Sequence, residues 1–79
     1  MAVSFIYEGG TTFSIAYGLP ADSPDRAAQL AGDMGATHVL YGEGIYTALT
    51  KYNQTTRRIC RIQDLSTQLT KELRIAGWL

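Results

Sequence analysis

His38 and Cys60 are the one imidazole and the one thiol in a chain of 79 residues, so any nucleophilic, general-base or metal chemistry would be expected to involve them. Such chemistry needs partners within hydrogen-bond reach. His38 stands beside Val39 in a run with strand character and reads as a hydrogen-bonded structural histidine. Cys60, within Ile59-Cys60-Arg61, reads as a small buried hydrophobe. One Cys and one His without clustered carboxylates cannot build a structural zinc site. Gly42-Glu43-Gly44 starts like a dinucleotide loop but lacks the third glycine and runs into a strand pattern, so it reads as a hairpin turn. The expectation is a protein that is not an enzyme, with no catalytic residue, cofactor or metal.

Charge is the second place to look for chemistry. Seven Lys or Arg balance seven Asp or Glu. Residues 1–50 nevertheless carry Glu8, Asp22, Asp25, Asp33 and Glu43 against Arg26 alone, and residues 51–79 carry six cations against Asp64 and Glu72. The halves are −4 and +4. Much of this split suits helix ends, with Asp22 and Asp25 near the start of a first helix and Lys71 and Arg74 near the end of a second. What remains is a basic cluster at Lys51, Arg57, Arg58 and Arg61, opposed by scattered acids at Glu8, Asp33 and Glu43. With 18% charged and 46% apolar residues the chain has a folding composition, and its zero net charge excludes bulk nucleic-acid binding and DNA mimicry.

The elements that must position these groups follow from periodicity. Val3 to Tyr7 and Thr12 to Tyr17 form a hairpin about Gly9-Gly10. Ser23 caps, and Pro24 opens, a helix to Met34 that Gly35 stops. Thr37 to Gly42, Ile45 to Tyr52 and Thr55 to Ile62 have period two and make a three-stranded meander. Asp64 or Ser66 caps a closing helix with a Leu65, Leu69, Leu73, Ala76 stripe, a Gly77 stop and Trp78 folding back on Leu73. The reading is a single compact α+β domain over residues 1–79, of order ββ-α-βββ-α, with an antiparallel sheet and two helices packed on one face. A lone cysteine, no basic leader ahead of an apolar run and no transmembrane-length stretch point to a cytoplasmic protein.

Hairpin registers then assign faces. Two-residue turns at Glu43-Gly44 and Asn53-Gln54 put Leu40, Ile45, Leu49, Cys60 and Ile62 on a core face. The other face receives Val39, Tyr41, Tyr46, Ala48, Tyr52, Arg57, Ile59 and Arg61, and in the first hairpin Phe5 and Tyr7 lie opposite Ile6. Tyr and Arg are enriched at protein-binding hot spots, so Tyr41, Tyr46, Tyr52, Arg57 and Arg61 are candidate partner-binding residues. A bulge between Asn53 and Arg58 would exchange Arg57 and Arg61 for Arg58. Tyr41, Tyr46, Arg57 and Arg61 on an open sheet would also suit single-stranded nucleic acid, bases stacking on rings beside guanidinium groups. A third reading makes the aromatic face a weak homodimer interface.

In size and element order the whole chain resembles the small phage-encoded anti-CRISPR proteins that inhibit type I CRISPR surveillance complexes, with type I-C the candidate subtype. The resemblance implies a steric inhibitor in the host cytoplasm that docks on a complex subunit and blocks DNA binding or nuclease recruitment. It also implies a use for acids against DNA-binding lysines, which adds Glu8, Asp22, Asp25, Asp33 and Glu43 as candidate contacts.

Overall fold

The computed structural model describes residues 2–10, 12–59 and 61–79, so the expectation for Cys60 lies outside the described residues. Strands β1 (Ala2–Gly9) and β2 (Thr12–Pro20) lead into helix α1 (Pro24–Asp33). Strands β3 (His38–Tyr41), β4 (Gly44–Thr47) and β5 (Arg58–Ile59) follow, then a 3₁₀ turn (Ile62–Asp64) and helix α2 (Thr67–Ile75). The class is α+β in the expected order, with one antiparallel sheet ordered β2-β1-β3-β4-β5. Its accessible surface is 5026 Å², against about 4,700 Å² expected for this mass.

Both helices begin and end as their sequences dictate. Ser23 Oγ accepts from the Arg26 amide at 3.1 Å, and Ser66, rather than Asp64, accepts from the Leu69 amide at 3.1 Å. Each helix closes in a Schellman motif. The Gly35 and Ala36 amides reach the Gly32 and Ala31 carbonyls, and the Gly77 and Trp78 amides reach those of Arg74 and Leu73. The motif needs a left-handed residue at its C′ position, which Gly35 (φ 77°) and Gly77 (φ 86°) supply.

The helices do not share a face. α1 buries Ala27, Ala28, Leu30 and Ala31 against Val3, Phe5 and Val39. α2 buries Leu69 and Leu73 against Ile6, Leu40, Ile45 and Ile59. Phe5 and Ile6, like Val39 and Leu40, are sequence neighbours that project to opposite faces, and all four are at most 3% exposed. A sheet apolar on both faces needs cover on both. β2 and β3 each run antiparallel to β1, so α1 must cross over β1 on one face, and α2 takes the other. The expectation of two helices on one face is therefore corrected to a three-layer arrangement. Of the expected stripe, Leu69 and Leu73 are buried, whereas Leu65 before α2 is half-buried and Ala76 at its C-cap is exposed.

The first two pairings slip by an even number of residues and the third by an odd number. Gly9 pairs with Thr12 and Tyr41 with Gly44, so the first turn moves one residue forward, the second one residue back, and each pairing slips by two. An even slip leaves every side chain on its expected face. In the third hairpin Ile45 pairs with Ile59 and Tyr46 with Arg58, an odd slip. It sends Ile59 to the α2 face and brings Arg58, in place of Arg57 and Arg61, opposite Tyr46. The cause lies at Leu49, whose amide leaves the sheet to bond the Ala28 carbonyl of α1 at 2.9 Å. β4 consequently ends at Thr47 instead of Tyr52, and Leu49 joins the α1 core rather than the Leu40 face.

Candidate functional site

The expected aromatic platform is not an open surface. Tyr41 and Tyr46 are half-buried, pack against the α1-side core, and meet edge to face with centroids 6.5 Å apart at 76°. Tyr7 packs there too. Tyr52 lies apart from them, 87% exposed on the loop after β4, with the Lys51 ammonium 5.1 Å from its ring centroid. Arg57 and Arg61 converge instead on Asp64, at 3.5 and 3.2 Å, and this half-buried carboxylate fixes both guanidinium groups at the outer edge of β5. With their side chains 66% and 64% exposed, these ion pairs order the arginines more than they stabilise the fold.

The expected acids are spread over the molecule. Glu8, at the end of β1, accepts from the Ser66 hydroxyl at the start of α2, where a carboxylate also suits the helix dipole. Asp25, in the first turn of α1, accepts from the Thr56 hydroxyl. Asp33 is eight residues further along α1, about 12 Å away, in a shallow depression with Lys51 and Gln54. Asp22 is exposed before the Ser23 cap, and Glu43 occupies the β3–β4 turn. No single acidic surface results.

The described residues that do converge on a surface are apolar and cationic. Ile62, expected in the core, is 45% exposed, because the 3₁₀ turn lifts it away from the sheet. Trp78 and Leu79 are 47% and 46% exposed, and Ile75 is 72% exposed. A cleft of about 170 Å³ at the β4–β5 end lies between Ile45, Ile59, Leu65 and Trp78, with Arg58, Arg61 and Glu43 at its mouth. A second, shallower groove shares Ile62 and Leu65 and continues along α2 past Lys71, Arg74 and Ile75. The two form one apolar strip rimmed by four cations and one acid, Glu43. Sequence reasoning absorbed Ile62 and Trp78 into the core and Lys71 and Arg74 into helix-end charges. One signal was available: Ile75 lies off the Leu69–Leu73 stripe, so α2 cannot bury it together with them.

His38 pairs with Ile6 of β1 and hydrogen-bonds its neighbour Thr37. The Thr37 hydroxyl donates to the Ile6 carbonyl at 3.0 Å, so its oxygen accepts from His38 Nδ1–H at 3.0 Å. Burial pushes the imidazole below its usual value, partly opposed by the Glu8 charge. Burial thus favours the neutral ring over the charged one. Among the described residues no three His, Cys, Asp or Glu side chains cluster to hold a metal, and no helix is long and apolar enough to cross a membrane. Comparison of the chain with protein-family models, curated proteins and solved structures finds no match.

Proposed function

We propose that this chain is a non-enzymatic protein-binding inhibitor that docks on a type I CRISPR surveillance complex through the strip formed by Ile62, Trp78, Leu79 and Ile75. The observation that carries the reading is this exposed apolar strip with Arg58, Arg61, Lys71 and Arg74 around it. Trp and Arg together supply large contact area with polar ends, the composition of interface hot spots. The cationic rim fits a partner surface of apolar residues flanked by carboxylates. The resemblance in size and element order supplies the class of target. The acids named for that role are dispersed, which moves the proposed contact from carboxylates meeting lysines to this basic strip.

Size-exclusion chromatography of the full chain with a purified type I-C complex tests the proposal, combined with target-DNA binding by the complex. Co-elution with impaired DNA binding or impaired nuclease recruitment is expected. Absence of co-elution, with DNA binding and cleavage unchanged, overturns it. The single-stranded nucleic-acid reading loses its stacking platform, since Tyr41 and Tyr46 are half-buried beside α1 and Arg57 and Arg61 lie elsewhere.

A further inference from the structure

The sheet ends in two unequal edges. β5 contributes two residues, one of them Arg58, and is flanked by Arg57 and Arg61, the kind of charge that discourages strand addition. β2 contributes nine, Thr-Phe-Ser-Ile-Ala-Tyr-Gly-Leu-Pro, with no charged side chain and its one proline at the last position. Its register with β1 is unbroken from Tyr17 to Thr12, the one irregularity falling beyond Tyr17. None of the usual protections of an edge strand (charge, internal proline, central bulge) is present along residues 12–17. Ile15, Tyr17 and Leu19 are 36%, 92% and 57% exposed. Ile15 pairs with Ile6 and Tyr17 with Ser4, so Ile15 and Tyr17 lie on the α2 side of the sheet. The alternate residues Ser14 and Ala16 are small and exposed.

We propose that β2 pairs antiparallel with β2 of a second copy around a two-fold axis at Ile15, joining two five-stranded sheets into one of ten strands. The pattern complements itself about that axis. Ile15 meets Ile15, Phe13 meets Tyr17 of the second copy, and Ser14 meets Ala16, so each face pairs like with like in size. An uncharged edge carries no charge that would select a different chain, and a net charge of zero sets no long-range repulsion between copies. With the axis at Ile15, residues 12–18 of each copy are paired, a span of about 24 Å, and such a contact buries on the order of 1,000 Å² in all, the lower bound for a specific interface. The dimer is therefore reversible and concentration-dependent. The Trp78 cleft lies at the opposite end of the sheet, against β4 and β5.

Sedimentation equilibrium of the full chain, from low micromolar to near-millimolar, is the test. The average mass is expected to rise from 8.7 kDa toward twice that value. Ile15→Lys and Ile15→Glu each remain monomeric, and their equimolar mixture regains the dimer because position 15 faces itself on the axis. Tyr17→Lys, at a site too exposed to matter to the monomer fold, weakens association at least tenfold and decides the matter if the Ile15 variants fail to fold. A wild-type mass fixed at 8.7 kDa throughout, a dimer undiminished by Tyr17→Lys, or a mixture of folded Ile15 variants no heavier than either alone overturns the proposal.

Discussion

Replacing Gly32 with alanine inverts a general rule, and the inversion is computable from the geometry. Gly→Ala inside a helix ordinarily stabilises by about 1 kcal/mol. Gly32 lies in the last turn of α1, where a Cβ would stand 1.6 Å from the Leu49 carbonyl oxygen and 2.7 Å from its carbon. Contacts of this kind do not fall below 3.0 Å, and the obstacle is backbone that cannot rotate away. The segment must move by more than 1 Å, endangering the Leu49 amide bond to Ala28. That bond contributes about 1 kcal/mol, and forced overpacking costs about 1–3 kcal/mol. The balance is a loss of about 2 kcal/mol, which in a domain of this size lowers Tm by ~8–16 °C. Thermal and urea unfolding followed by circular dichroism measure it, with the exposed Gln29→Ala one turn earlier as the helix-propensity control. A Gly32→Ala protein that melts at or above the wild-type temperature would refute the close docking of residues 48–49 on α1, and with it the explanation of the register change.

Three further outcomes are expected. Leu73→Ala, at a fully buried position on the α2 side, costs about 2–5 kcal/mol in urea unfolding; a value under 1 kcal/mol would mean that α2 does not cover that face. Ser66→Ala removes both the α2 cap and the donor to Glu8 and costs about 1 kcal/mol, with no further loss when Glu8→Gln is added if the two act as one unit. His38 has a folded pKa below its unfolded value of 6.5, so the unfolded chain takes up the proton first as pH falls. Its contribution is full above pH 6.5 and is lost as pH drops through the folded value, so wild type should lose more stability than His38→Gln between pH 7.5 and 5; parallel profiles would contradict this.

The local signals in the sequence were reliable where one residue decides the outcome. Ser23-Pro24, Ser66, Gly35 and Gly77 mark the helix ends, because capping and left-handed backbone depend on the residue at one position. The first two hairpins kept their faces despite misplaced turns, since a slip of two preserves alternation. The third failed because Leu49 binds a helix that is distant in sequence, and no turn rule between Thr47 and Arg58 contains that information. Helix placement was misjudged by weighing one apolar face at a time. Phe5-Ile6 and Val39-Leu40 are adjacent apolar pairs in strands, the mark of a sheet buried on both sides. That error carried into the site: once α1 covers the Tyr41 and Tyr46 face, the exposed surface moves to the β4–β5 end, where Trp78 and Arg61 lie.

Equilibrium binding of the full chain to a purified type I-C surveillance complex, for wild type and for Trp78→Ala, Arg61→Glu and Tyr46→Ala, tests this placement most directly. Trp78→Ala and Arg61→Glu should each weaken binding about thirtyfold, the loss typical of a central hot-spot residue, while Tyr46→Ala acts only through any loss of folded protein. Binding that is absent, or that survives both strip substitutions unchanged, would contradict the account.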